Sequence, residues 1–177
     1  MNFNQLIADK ISPLLEENGF LIAETQENYF RFTSEEVKLN ISYNPREKSG
    51  LMEVGKRDKM SYPLNDKLIR IIFDSPITIE GSYGADAFVD HLAVFLHGDG
   101  FPIVKGDHVK LEEIKKFVEQ ESKEYTNALI LEQILQQADQ AWKDEEYSEF
   151  TRLINELKKG KLPASYLLKY KIAKQKK

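Results

Sequence analysis

The chain has 177 residues, 41% of them hydrophobic and 31% charged, enough to bury a core and too apolar for a disordered chain. It contains no cysteine, which excludes thiol nucleophiles, thiolate zinc, iron–sulfur clusters and disulfides and fits a reducing compartment. The net charge of −4 is uneven: residues 1–157 hold 17 Lys and Arg against 29 Asp and Glu, whereas residues 158–177 hold eight Lys and no acid.

Residues 3–18 carry an apolar stripe of helical period at Phe3, Leu6, Ile7, Ile11, Leu14 and Leu15. Pro13 lies inside it, so the helix either kinks there or starts near Ser12, and Asn18-Gly19 stops it. From 20 to 56 the period becomes two. Phe20 and Ile22, Tyr29 to Phe32, Val37 to Tyr43 and Leu51 to Val54 read as strands of an antiparallel meander with one buried face. Pro63 to Phe73 reads as a helix with Leu64, Leu68, Ile71 and Ile72 on one side, and Ile77 to Ile79 as a short strand or extended connector.

Ala85 to Leu96 is an amphipathic helix that His97-Gly98-Asp99-Gly100 ends. The second half reads as helical. One helix runs from Leu111 to about Gln137, with Glu112 and Glu113 in its first turn, and a second helix or a continuation follows through Trp142. Tyr147 to Lys158 ends at Gly160, and Pro163 opens the last helix. The expected fold is α+β, with an N-terminal helix, a meander of three to five strands and a helical C-terminal half. The expected division is residues 1–105 and 106–177, placed where Gly100 to Asp107 gathers glycines and a proline. Whether the halves share one core stays open.

Acids at Asp9, Glu16 and Glu17 occupy what would be the apolar part of a leader, and no apolar run approaches the roughly 18 residues of a membrane span. The expectation is a cytoplasmic chain. On a helical wheel Asp86, Asp90 and His97 share a face, but the seven residues from Asp90 to His97 rise about 10 Å, too far for one metal. Asp86 and Asp90 alone are near enough to share a cation. Gly98-Asp99-Gly100 has one carboxylate where a calcium loop needs several. Gly81-Ser82-Tyr83-Gly84 lacks the glycine two places before its serine, and no phosphate-binding glycine loop exists. No catalytic residue, cofactor or metal is therefore assigned. Tyr29, Phe30, Phe32 and Tyr43 sit among acids that repel phosphate, and they read as core. The candidate contacts are Arg46, Lys56 and Arg57, if the meander presents one end to a partner, together with Asp86 and Asp90.

Ala138, Ala141, Trp142, Tyr147, Phe150 and Leu153 are spaced as in one tetratricopeptide helical hairpin, although Glu156 stands where that repeat has a small residue. The resemblance implies a hairpin packed on neighbours. Leu14-Leu15-Glu16-Glu17-Asn18-Gly19-Phe20, the aromatic meander and the acidic body resemble in style the small bacterial immunity proteins of polymorphic-toxin systems. The absence of a catalytic signature and the acidic body lead to a non-enzymatic protein-binding module for a basic protein partner, and the resemblance implies an immunity-type inhibitor as its form. The alternative is nucleic-acid or anionic-surface binding through the lysine-rich end. Oligomeric state is left open.

Overall fold

The computed structural model describes residues 2–81, 84–157 and 162–176. They fall into two compact units, Met1–Glu119 and Gln120–Lys177. The division lies inside a helix, past Gly100–Asp107, because Leu111 and Ile114 still belong to the first core.

The Asn2 side chain accepts from the Gln5 amide at 2.8 Å and opens α1 (Phe3–Lys10). Ile11 interrupts the helix, and α2 (Ser12–Glu17) restarts with Pro13 in its first turn, where a missing N–H costs nothing. Gly19 then takes a φ of 82° and turns the chain into the sheet. Five antiparallel strands follow in spatial order of sequence: β1 (Leu21–Gln26), β2 (Tyr29–Thr33), β3 (Val37–Asn44), β4 (Ser49–Lys56) and β5 (Tyr62–Leu64). Such short connections permit only antiparallel neighbours. β1 bulges at Ala23, between Ile22 opposite Phe32 and Glu24 opposite Arg31.

Alternation sends Phe30, Phe32, Leu39, Ile41, Met52 and Val54 to one face of the sheet, all buried. Against them lie Phe3, Leu6 and Ile7 of α1, and Phe88, Val89, Leu92 and Phe95 of α4 (Ala85–His97). Tyr43 stacks at 5.8 Å on Phe3 and at 6.3 Å on Phe88. A Cβ at Gly50 would sit 2.3 Å from the Phe88 ring, so α4 can approach β4 this closely only over a glycine.

The helix expected from Pro63 is shorter than its apolar pattern. Tyr62–Leu64 pairs with β4, Pro63 tolerates this edge strand because it needs no outward donor, and α3 (Asp66–Phe73) begins after Asn65. The Asn65 side chain accepts from the Leu68 amide at 2.7 Å, and that cap sets the start. Leu68, Ile69 and Phe73 face the core and Ile72 packs against it, so of the face drawn from sequence only Ile71, 57% exposed, departs. Ile77 to Ile79 is an extended connector, not a strand.

After α5 (Phe101–Val104), α6 (His108–Lys143) runs 36 residues without a break, so the second helix is a continuation. Since it starts at His108, Glu112 and Glu113 lie beyond its first turn. α7 (Tyr147–Glu156) and α8 (Ala164–Gln175) complete the second unit. Its core is Ala138, Ala141, Phe150, Leu153, Ile154 and Ala173, with Trp142 at 5.2 Å from Phe150. Gly160, Ser82 and Tyr83 lie outside the described residues. No described helix is long and apolar enough to cross a membrane.

Candidate interaction surface

The helices of the first unit cover one face of the sheet. The other face carries the alternate residues, and the register gathers them into one network. Arg31 stands opposite Asn40, and Asn40 opposite Glu53. The Asn40 side-chain oxygen accepts from Tyr29 Oη at 3.2 Å and from Arg31 Nε at 3.1 Å. Its Nδ2 donates to Glu53 Oε2 at 3.0 Å and to Ser61 Oγ at 3.5 Å. Arg31 also pairs with Glu24 across the bulge at 2.7 Å, and its guanidinium lies 5.7 Å from the Tyr29 ring centre. Leu21 and Leu51, 73% and 43% exposed, stand on the same face.

Asn40 is only 9% exposed, so the network is a polar layer fixed in place rather than a fringe of mobile side chains. It preorders an aromatic ring and a guanidinium, the side chains that dominate protein-binding hot spots. Tyr29 therefore belongs to this face, while its neighbours Phe30, Phe32 and Tyr43 are core as expected. The sequence signal for the site was the period of two itself. Once Phe30 and Phe32 point in, Tyr29 and Arg31 point out.

The contacts singled out from sequence do not converge. Arg46 sits in the β3–β4 turn, where its amide donates to the Asn44 side chain at 3.0 Å. Lys56 and Arg57 lie at the other end of the same hairpin, seven residues or about 23 Å along the strand. One end of the meander therefore cannot present all three. Lys56 is tied to Glu112 at 2.9 Å, and the Arg57 amide donates to the Glu36 carbonyl. The Lys56 hydrogen bond, followed by the charges of Lys56, Lys115 and Lys116, holds the Glu112 carboxyl below its usual range. Lys56, Lys59, Lys115, Glu112 and Glu119 line a groove of about 310 Å³ over Tyr62 and Leu111.

Asp86 and Asp90 share the exposed side of α4, one turn apart, and Asp90 is ion-paired with Lys10 of α1. Among the described residues no three His, Asp or Glu side chains gather in a way that would hold a metal. Of the terminal lysines, Lys158, Lys159, Lys161 and Lys177 lie outside the described residues. Lys169 donates to Asp139 at 2.9 Å and lies over Trp142 and Tyr166, while Lys174 and Lys176 lie over Tyr170 and Tyr147. No family model matches the chain, and no curated protein or solved structure matches it.

Proposed function

We propose that the protein is a non-enzymatic cytoplasmic module that binds a basic protein partner, in the manner of an immunity-type inhibitor. The observation that carries this reading is the sheet face opposite the core, with its preordered Tyr29–Arg31–Asn40 network. Charge supports the choice of partner. The first unit holds 14 Lys and Arg against 20 Asp and Glu, a net of −6, which attracts and orients a basic surface. Binding through the lysine-rich end has less support, since Lys169, Lys174 and Lys176 already lie on aromatic rings of their own unit.

The test is capture from the source organism's lysate at low and moderate salt, repeated with Tyr29→Ala. One stoichiometric basic protein, released by salt and lost with the variant, supports the reading. Capture that ignores both salt and Tyr29→Ala refutes this surface. Retention of nucleic acid alone refutes the partner class.

A further inference from the structure

The sheet has two edges, and they are unlike. β5 is three residues long and carries Pro63, two devices that blunt an edge against further pairing. β1 is six residues long, carries no proline and pairs with β2 on one side only. Its last residue is tied to α1, where Asn4 Nδ2 donates to the Gln26 carbonyl at 3.1 Å. Leu21 and Ile22, at its other end, are 73% and 47% exposed. The register sets Leu21 opposite Thr33 on the network face and Ile22 opposite Phe32 on the core face. Phe32 is fully buried and Ile22 beside it is half open, so the core layer stops one strand short of the edge.

Acids flank this edge at both ends. Residues 16–36 hold six Glu against Arg31 alone. The Gly19 amide donates to the Glu16 carbonyl at 3.0 Å, which holds exposed Glu16 and Glu17 at the start of β1. Glu35 and Glu36 are exposed in the turn that follows Thr33, opposite that same end. Glu27, also exposed, lies in the turn that leaves β1. Of the six, Glu24 is held by Arg31 and Glu36 lies 3.6 Å from His108. Among the described residues the other four have no ion-pair partner.

We propose that β1 takes up an extended, lysine- or arginine-rich segment of the protein partner as a sixth strand. This names how the partner of the proposed function docks, and it rests on that reading. Backbone hydrogen bonds to β1 would carry the affinity. One alternate set of side chains would cover Ile22 and complete the core layer, and the other would continue the network face past Leu21. Basic residues of the strand would meet Glu16, Glu17, Glu27 and Glu35. The bulge at Ala23 and the carboxylate of Glu24 are the usual guards of an edge. With the flanking acids they turn away a like-charged strand, β1 of a second copy included, and the acids attract a basic one.

The test is hydrogen exchange of the full chain, read by two-dimensional NMR, with acetyl-(Lys-Val)4-amide as the probe. The β1 amides that face away from β2 should exchange about tenfold or more slowly with saturating peptide. The Glu–Val counterpart should protect nothing. Nor should the Lys–Val peptide N-methylated throughout, which keeps its charge and loses its backbone donors. Glu17→Lys combined with Glu27→Lys, with folding confirmed by circular dichroism, should weaken the probe about tenfold at low salt. Absence of protection in β1 overturns the proposal. So does equal binding of the methylated or the acidic peptide, or a probe indifferent to the charge reversals. Protection of β1 that rises with chain concentration alone gives the edge to a second copy and likewise overturns it. The peptide assay is separate from capture of the partner. An unprotected β1 with capture still lost in Tyr29→Ala removes the edge and leaves the face reading standing, whereas a protected β1 with capture indifferent to Tyr29→Ala does the reverse.

Discussion

Asn40 organises the open face because it accepts from two neighbours and donates to two others while almost wholly shielded from water. Removing its amide leaves Tyr29 and Arg31 without their common acceptor. Asn40→Ala should cost about 1–3 kcal/mol, read by urea unfolding, and under the proposed function should weaken partner capture as Tyr29→Ala should. Ser12 behaves oppositely. Ser12 is 5% exposed, and among the described residues its buried hydroxyl has no hydrogen-bond partner. Ser12→Ala should leave stability unchanged or raise it by up to about 1 kcal/mol, because a desolvated polar group is removed and no bond is lost. A clear loss of stability would show that the hydroxyl is satisfied in solution. A Cβ at Gly55 would stand 2.3 Å from the Met60 carbonyl oxygen, so Gly55→Ala should open the β4–β5 turn and lower the melting temperature.

α8 is fastened to α6 by Asp139, which accepts from Tyr166 at 2.5 Å and from Lys169 at 2.9 Å. These bonds, Tyr166 first, lower the Asp139 carboxyl below its ordinary range, whereas burial and the Asp139 bond push the Tyr166 hydroxyl up to about 12. The signs fix two windows. The depressed Asp139 stabilises the fold above the unfolded carboxylate value and loses that contribution as pH falls through its lower folded value. The raised Tyr166 stabilises the fold below about 10 and loses that contribution as pH rises toward 12. Trp142 is the single tryptophan and lies under Lys169, so its fluorescence reads both windows. Tyr166→Phe should abolish the alkaline change and shrink the acid one; an alkaline change that persists would place its origin elsewhere. The Asp139–Tyr166–Lys169 cluster was hidden in the sequence, because nothing in the pattern of α6 says which of its many acids α8 will meet.

The two cores share no residue. Phe150→Ala should therefore lower the thermal midpoint reported by Trp142, at a cost of about 3–5 kcal/mol to the second unit. Phe32→Ala should cost a similar ~3–5 kcal/mol to the first unit while barely moving that signal. Coincident shifts in both variants would show that the units unfold as one. Charge divides along the same line. The first unit is net −6, and the second holds 11 Lys and Arg against nine acids.

Periodicity alone determined the α+β class, the meander and the amphipathic α4, since each depends on residues within a few places of one another, whereas at Pro13 it left a kink or a late start open and the structure has two helices, Phe3–Lys10 and Ser12–Glu17. The Phe30 and Phe32 faces followed from the same rule. Tertiary structure decided what local pattern leaves degenerate. Tyr62–Leu64 became a strand because β4 offered its backbone a partner, the Asn65 cap set the start of α3, and packing on the core buried Ile69 rather than Ile71. Arg46 and Lys56 parted because they close opposite ends of one hairpin, and Asn40 met Tyr29 because of register. Hydrophobic burial is written into spacing along the chain, whereas which polar groups meet depends on contacts between residues distant in sequence.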